Sequence, residues 1–219
     1  MENILELQNL TKRFGGLTAV GNVDLNVKKG SITGLIGPNG AGKTTIFNLI
    51  TGVYKVSDGS IIFNGHEITD KAPYQVADAG ITRTFQNIRL FKKLTVFENV
   101  LTACQYNAKY TITESVFRLP FLSTKRYKNE EKKLKDQANE LLEIMGLSEY
   151  KDFKANNLPY GLQRKLEIAR ALALNPKLLL LDEPAAGMNP DETDQLMHLI
   201  SEIRRKFDLT ILIIEHHMD

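Results

Sequence analysis

Apolar and polar positions alternate in two segments near the start of the chain. Residues 22–27, NVDLNV, follow this alternation, and residues 4–10, ILELQNL, offer a partner segment. A period of two is typical of a strand that buries one face. Residues 61–68, IIFNGHEI, predict another strand, which breaks at Asn64 and Gly65 because this dipeptide favours a tight turn. We therefore expect an antiparallel β portion near the amino terminus.

Three other segments are apolar without alternation. They are residues 31–37 (SITGLIG), 177–183 (KLLLLDE) and 210–217 (TILIIEHH). Continuous apolar runs of this length are expected of parallel strands that are covered on both faces. These three runs are therefore predicted to be strands of a parallel sheet.

Apolar side chains recur at the helical spacing in two later segments. The first segment contains Leu134, Ala138, Leu141, Leu142 and Met145. The second segment contains Leu196, Leu199, Ile200, Ile203 and Phe207. Gly146 follows the first segment as a C-terminal cap. Asp191 and Glu192 lie at the start of the second and basic residues 204–206 near its end, which matches the helix dipole.

The order of these elements predicts an α/β fold interrupted by helices. An antiparallel β portion and an α/β segment come first, a helical stretch follows, and the α/β pattern then returns. The simplest interpretation is one domain over residues 1–219. Its core and β subdomain comprise residues 1–87 and 175–219, and a helical subdomain, about residues 88–174, is inserted between them.

Composition and charge narrow the class of protein. The 219 residues are 42% hydrophobic and 25% charged, which is enough to form a substantial core. A net charge of +2 gives no reason to expect nucleic acid as the main partner. Cys104 is the single cysteine, which suits a reducing compartment. The chain opens without a signal-peptide pattern, and its apolar runs are shorter than the roughly 20 residues of a membrane helix. We expect a soluble, cytosolic chain.

A glycine-rich loop follows the first apolar run. Residues 37–45, GPNGAGKTT, match G-x-x-x-x-G-K-[S/T] through Gly37, Gly42, Lys43 and Thr44. Such glycines let backbone N–H groups converge on phosphate oxygens, and the next helix presents its positive end to the same anion. Lys43 is expected to reach the β and γ phosphates, and the Thr44 hydroxyl to ligate Mg²⁺. The competing interpretation, a flexible turn before an ordinary helix, is weakened by the strand-loop-helix context.

Two acids end the apolar run LLLLDE. Asp182, at the end of a buried strand, is suited to hold Mg²⁺ directly or through water. Glu183 points elsewhere and is suited to orient or deprotonate an attacking water. The alternative interpretation is that both acids only cap the PAAG turn. Beside the glycine-rich loop, the catalytic interpretation ranks higher.

These motifs, in this order, resemble the ATP-binding subunits of ABC transporters over essentially the whole chain. LLLLDE resembles Walker B with its adjacent catalytic glutamate, Glu183, and GPNGAGKTT resembles the Walker A loop. The resemblance assigns nucleotide binding to Gly37, Pro38, Asn39, Gly40, Ala41, Gly42, Lys43, Thr44 and Thr45. It implies a P-loop NTPase (RecA-like) core with an N-terminal antiparallel β subdomain and an inserted α-helical subdomain.

Shorter motifs extend the resemblance. RTFQN resembles the Q-loop, which gives Gln86 a catalytic role and a place with Thr44 and Asp182 among the metal ligands. IIEHH resembles the switch-histidine strand, which gives His216 a catalytic role. KRFGG lies where the family carries its adenine-stacking aromatic residue, here Phe14. In isolation each of these three side chains would more often be structural, and only their order supports the assignment.

Two family motifs depart from the usual pattern. LPYGLQ lies where the signature LSGGQ is expected, with Pro159, Tyr160 and Leu162 as the departures and Gly161 retained. In the family this loop closes over the γ-phosphate held by the opposite subunit, so the resemblance assigns ATP contacts to Tyr160 and Gly161, through backbone and the positive helix end. A helix start without a ligand is the alternative. AAGMNP resembles the D-loop, with Asn189 in place of aspartate.

The segments RFGGLTAV, RTFQNIRLF and NLPYGLQRKLEIARAL look like the branched-chain amino-acid importer branch of the family. This resemblance implies ATP and Mg²⁺ as cofactors and a closed dimer with a second ATP-binding subunit, either a second copy or a paralogue. It implies integral membrane permease subunits and, indirectly, a solute-binding protein as partners, with no nucleic acid. The expected location is cytoplasmic, peripheral on the inner face of the cell membrane. Because the family continues past the switch strand, we expect the carboxyl-terminal end at Asp219 to be truncated.

Two other classes of function remain as alternatives. Soluble ABC-type ATPases that act on DNA or ribosomes usually carry long coiled coils or a second ATPase domain, and this sequence shows neither. A P-loop kinase or GTPase acting alone gives no reason for a D-loop, a switch histidine and a signature-like helix start. A transport ATPase accounts for all of these motifs.

Overall fold

The computed structural model describes residues 2–107 and 125–215. The chain forms two compact units, Met1–Asn87 with Asn175–Asp219 and Ile88–Leu174. Every named strand of the described residues belongs to the first unit. Across the described residues, each helix is too short or too polar to span a membrane.

An antiparallel sheet in the first unit confirms the predicted β portion. Its strands are β1 (Asn3–Phe14), β2 (Leu17–Lys28), β4 (Asp58–Phe63) and β5 (His66–Glu67), in the order β2-β1-β4-β5. The predicted break between β4 and β5 is present, where Asn64 and Gly65 have φ angles of 51° and 76°. Positive φ at both central residues is what a tight hairpin turn requires.

A parallel sheet forms the other layer of strands in this unit. It contains β3 (Ile32–Ile36), β6 (Ile81–Arg83), β7 (Leu178–Asp182) and β8 (Thr210–Glu215), in the order β3-β8-β7-β6. All residues of β7 are buried, as predicted. The prediction of cover on both faces is wrong for β3, where Ile32 and Ile36 are 39% and 42% exposed. In the described part of the chain β3 is an edge strand, so its side chains have a neighbouring strand on one side only.

The described residues of the first unit also form three helices: α1 (Lys43–Ile50), α2 (Pro73–Ala79) and α6 (Pro190–Lys206). Apolar residues of α1 lie in the same buried cluster as residues from both sheets. Asn189 and Glu192 form a reciprocal capping box at the start of α6, because each side chain accepts the backbone N–H of the other residue. Asparagine and aspartate are comparable N-caps, so the D-loop departure at Asn189 preserves the start of this helix.

The second unit is helical. It contains α3 (Val96–Cys104), α4 (Lys125–Ile144) and α5 (Tyr160–Leu172), with short 3-10 turns between them. The predicted apolar positions of the first helical segment are all buried, namely Leu134, Ala138, Leu141, Leu142 and Met145. Gly146 has a φ of 66°, as expected of a glycine that follows a helix end.

Candidate active site

The loop between β3 and α1 carries the predicted phosphate-binding glycines. Gly42 directly precedes α1 with a φ of 86°, and Gly40 has a φ of 81°. A Cβ on Gly42 would lie 2.5 Å from the backbone oxygen of Ala19, so both its conformation and its surroundings require glycine. No side chain of the described residues caps the start of α1. A helix start of this kind suits an anion.

Lys43 lies against this loop and is only 7% exposed. Its ammonium donates to the backbone oxygen of Gly37 and, over 3.0 Å, to that of Pro38. An ammonium has three donor hydrogens, and its hydrogen bonds to charged oxygens are stronger than those to neutral carbonyls. Exchange of a loop carbonyl for a phosphate oxygen is therefore favourable. The exposed Thr44 follows in the first turn of α1.

Glu183 follows β7 and is fixed through both its backbone and its side chain. It has a φ of 47°, a conformation that is uncommon for residues other than glycine and is concentrated at functional sites. Its N–H donates to the backbone oxygen of Ile214 over 3.1 Å. Its Oε2 accepts a hydrogen bond of 2.8 Å from the Gln86 amide. The fold thus brings together two predicted catalytic residues that are 97 positions apart in the chain.

Asp182, the last residue of β7, is almost fully buried. Its Oδ2 lies 2.5 Å from Nη2 of Arg83, and its Oδ1 is buried without a hydrogen-bond partner among the described residues. Mg²⁺ takes hard oxygen ligands, usually one or two carboxylates together with phosphates and water. A buried carboxylate oxygen without a partner and the Thr44 hydroxyl are therefore ligands of the kind that Mg²⁺ prefers.

An exposed aromatic pair lies at the end of β1. Phe14 is 43% exposed, and the ring of Tyr54 meets it edge to face with centroids 5.3 Å apart. The Lys12 ammonium lies 4.9 Å from the Phe14 centroid and donates to the backbone oxygen of Lys55 over 2.7 Å. Edge contact and the cation fix the orientation of the Phe14 ring, because aromatic pairs and cation–π contacts favour defined geometries.

The signature-like corner lies in the second unit, at the start of α5. Pro159 is the N-cap residue in an extended conformation, with a ψ of 153°, so its missing N–H removes no helical hydrogen bond. Gln163 donates to the backbone oxygen of Leu158 over 2.8 Å, which closes the corner on itself. Tyr160 is 43% exposed, and its hydroxyl lies 3.4 Å from Nη2 of the buried Arg164.

Comparison with known proteins identifies the family. The sequence profile described as "ABC transporter" matches residues 20–186. The chain belongs to the ABC transporter family. Over 215 residues it is 44% identical to the "High-affinity branched-chain amino acid transport ATP-binding protein BraF" of Pseudomonas aeruginosa. The aligned region covers 98% of this chain and 82% of that relative.

Solved ABC structures confirm the predicted P-loop fold. The ADP conformation of an ATP-binding cassette of an ABC transporter is 36% identical with a TM-score of 0.84, covering 100% of this chain and 83% of that one. A dimeric ATP-binding cassette in a post-hydrolysis state, bound to ADP and Pi, is 25% identical with a TM-score of 0.78. That match covers 97% of this chain and 88% of the other. The prediction of an ABC-type ATPase is likewise confirmed.

The predicted site residues of this ABC cassette fall into three groups. The Walker A residues, Asp182, Glu183, Gln86 and Phe14 belong to the first unit. Tyr160 and Gly161 belong to the second unit. His216 lies outside the described residues. The catalytic and binding roles of all of them remain predictions.

Sequence reasoning missed several side chains of the first unit that contact predicted site residues directly or through one other side chain. Tyr54 contacts Phe14, Arg83 contacts Asp182, and Asn48 contacts Arg83 in turn. Arg83 is the charged residue of the RTFQN motif and ends β6, which is a signal for its presence near the site but not for its contact with Asp182. Tyr54 and Asn48 lie outside the motifs and carry no comparable signal.

Proposed function

We propose that this chain is the ATP-binding subunit of an ABC importer that takes up branched-chain amino acids. The names of its relatives support the solute class, since BraF is a branched-chain amino acid transport protein and is 44% identical. The same relatives favour an importer over a soluble ABC-type ATPase that acts on DNA or ribosomes. ATP and Mg²⁺ are the proposed cofactors.

The observation that carries the catalytic part of the proposal is the hydrogen bond between Gln86 and Glu183 at the carboxyl end of β7. It fixes the buried carboxylate of Glu183, the residue next to Asp182. The backbone of Glu183 has an uncommon conformation. Strained residues of this kind persist only where the surrounding structure determines them. A carboxylate fixed in this way is suited to position a water molecule and accept its proton.

The remaining roles follow from the chemistry of each group. Lys43 and the backbone of residues 37–45 bind the phosphates, and Phe14 stacks on the adenine. Thr44 and Asp182 hold Mg²⁺, with Gln86 as a further oxygen ligand. When bound, Mg²⁺ neutralises charge on the phosphate oxygens. Glu183 orients the attacking water and accepts its proton, and His216 completes the proposed catalytic set.

The proposed working unit is a closed dimer with a second ATP-binding subunit. Tyr160 and Gly161 of each subunit then contact the γ-phosphate held by the other subunit, through backbone N–H groups at the start of α5. A structural relative in dimeric form, bound to ADP and Pi, supports this assembly. Permease subunits would hold the dimer at the inner face of the membrane, and a solute-binding protein would deliver the amino acid to them.

Glu183→Gln tests the catalytic proposal. The amide keeps the shape of the side chain but cannot accept the proton, so hydrolysis should fall by roughly 10²–10⁴-fold while ATP still binds. The variant should also accumulate as an ATP-bound dimer, visible as a doubled mass by light scattering. Glu67→Gln, the same change at an exposed glutamate of β5, is the control and should leave both unchanged. Near-normal turnover in Glu183→Gln would remove Glu183 from the mechanism.

Purification from native membranes tests the transport proposal separately. The chain should bring down a permease and, through it, a binding protein for branched-chain amino acids. Recovery with ribosomes or DNA instead, with no membrane subunit, would replace the importer by the soluble alternative.

A further inference from the structure

Arg83, at the end of β6, is a buried cation to which the proposed mechanism gives no role. Its side chain is 5% exposed. Nη2 lies 2.5 Å from Oδ2 of Asp182, and Nη1 donates to Oδ1 of Asn48 over 2.6 Å. The guanidinium carbon lies 5.3 Å from the Phe47 ring centroid and 5.1 Å from that of Phe85. The planar group is therefore held by two hydrogen bonds and two rings.

These contacts connect the elements that carry two of the three proposed metal ligands, Thr44 and Asp182. Asn48 belongs to α1, whose first turn contains Thr44, and Asp182 ends β7. Arg83 thus joins α1 to β7 through one rigid guanidinium. A lysine could not make the same connection, because an ammonium is a point charge without the planar fork that reaches two acceptors in fixed directions.

The two carboxylate oxygens of Asp182 have different surroundings. Oδ2 is occupied by Arg83, whereas Oδ1 is buried and lacks a partner among the described residues. The carboxylate is therefore fixed by one oxygen and presents the other. At the same time, the positive charge of Arg83 lies within contact distance of a group proposed to bind a cation, and like charges weaken each other's binding.

We propose that Arg83 is a positioning residue of the magnesium site, which orients Asp182 through Oδ2, fixes α1 against β7 through Asn48, and lowers the affinity of Asp182 for the metal. This inference rests on the proposed role of Asp182 as a magnesium ligand. The alternative is that the ion pair of Arg83 and Asp182 only stabilises the fold. The two differ in one respect: a purely structural pair changes stability without changing metal affinity.

The experiment measures Mn²⁺ binding to the ADP-loaded full chain by electron paramagnetic resonance, together with thermal unfolding. Arg83→Met removes the charge and retains much of the side-chain volume. We expect its half-saturating Mn²⁺ concentration to fall about 10-fold relative to the unmodified chain, the scale on which a contacting charge shifts binding to a carboxylate. We also expect the melting temperature to rise more on addition of Mn²⁺ than in the unmodified chain, because only the metal then compensates Asp182.

Two further variants separate charge from geometry. Arg83→Lys keeps the charge, so its Mn²⁺ affinity should stay within about 2-fold, while turnover falls because the link to Asn48 is lost. Arg83→Gln removes the charge but keeps a donor for Asp182, and should repeat the tighter Mn²⁺ binding even if Arg83→Met does not fold. Unchanged or weaker Mn²⁺ binding in the neutral variants that fold would overturn the proposal.

Controls distinguish this failure from a failure of the proposed function. Arg164→Met breaks another buried ion pair, in which Nη1 of Arg164 lies 2.7 Å from Oε2 of Glu167, and should lower the melting temperature without altering Mn²⁺ binding. Asp182→Asn should weaken Mn²⁺ binding at least 10-fold. If Asp182→Asn binds Mn²⁺ normally, the assignment of the metal ligand itself is wrong. If Asp182→Asn loses the metal but Arg83→Met is unaffected, only the role of Arg83 fails.

Discussion

Gly42→Ala is expected to impair both the stability of the chain and its binding of ATP. Gly42 has a φ of 86° and directly precedes α1. A Cβ there would lie 2.5 Å from the backbone oxygen of Ala19 and 3.2 Å from Cγ2 of Val20. Because both neighbours belong to β2, the alanine can be accommodated only if the loop or the strand moves. Movement of the loop displaces the N–H groups that are proposed to bind phosphate.

The magnitude has two contributions. A residue with a Cβ in the left-handed region costs about 1–2 kcal/mol relative to glycine. An overpacked contact of this kind typically costs about 1–3 kcal/mol. Together they predict a loss of about 2–5 kcal/mol in the free energy of unfolding, which is a large part of the stability of a typical domain.

Two other glycines separate these contributions. Gly40 has a φ of 81°, but its Cβ would meet no heavy atom within 4 Å, so Gly40→Ala should cost only the backbone strain of about 1–2 kcal/mol. Gly59 has a φ of 90° and its Cβ would lie 2.4 Å from the backbone oxygen of Asn9. Gly59→Ala should therefore destabilise the chain about as much as Gly42→Ala, at a position outside the phosphate loop.

Urea unfolding followed by circular dichroism measures the stability, and calorimetry measures ATP affinity at a temperature where all variants are folded. The expected pattern is a similar stability loss in Gly42→Ala and Gly59→Ala, with weakened ATP binding in Gly42→Ala but not in Gly59→Ala. Equal stability of Gly42→Ala and Gly40→Ala would refute the argument from the Ala19 contact. Equal loss of ATP affinity in Gly59→Ala would show that the effect on binding is not local to the loop.

Two further predictions concern the adenine pair and the corner at the start of α5. Phe14→Ala should weaken ATP binding about 10-fold through loss of stacking. Tyr54→Leu should weaken it by about 2–5-fold through loss of the edge contact that orients Phe14. Calorimetry measures both variants, and an ATP affinity equal to that of the unmodified chain would remove the aromatic pair from the base site. Gly161→Asp should leave ATP binding by the single subunit intact but abolish ATP-dependent dimerisation and hydrolysis, because a negative charge then faces the γ-phosphate. Pro159→Ser should be tolerated. Normal hydrolysis by Gly161→Asp would show that the corner is only a helix start.

Elements defined by a local pattern could be predicted from the sequence. The alternating segments form β1 and β2, the uninterrupted run before Asp182 forms β7, and the buried positions of α4 follow the helical period. The helix α2 was missed because it is short and its only buried residue is Val76, which leaves no periodicity to detect. The exposure of Ile32 and Ile36 on β3 was missed because an apolar run does not reveal which strand lies at the edge of a sheet.

The site shows the same limit. The glycine-rich loop and the two acids at the end of β7 are contiguous in sequence, so their chemistry could be inferred from spacing alone. The contact between Arg83 and Asp182 joins positions 99 residues apart. Only the parallel pairing of β6 with β7 brings these two strand ends together. The candidate metal ligands in these segments could therefore be predicted, whereas the contact of Arg83 with one of them could not.

The departure from the family signature at Tyr160 can also be understood from its contacts. A tyrosine in place of glycine adds a hydroxyl, which lies 3.4 Å from Nη2 of Arg164. Arg164 is fully buried and donates from Nη1 to Glu167, whose other oxygen accepts the backbone N–H of Arg89 over 3.1 Å. Arg170 donates to the backbone oxygen of Arg89, so α5 holds that residue from both sides. Displacement of Tyr160 would remove one contact from a buried guanidinium, and a hydrogen bond of this kind contributes about 0.5–1.5 kcal/mol. The corner at the start of α5 and the segment at Arg89 are therefore energetically linked within the second unit, by residues that lie outside the usual signature.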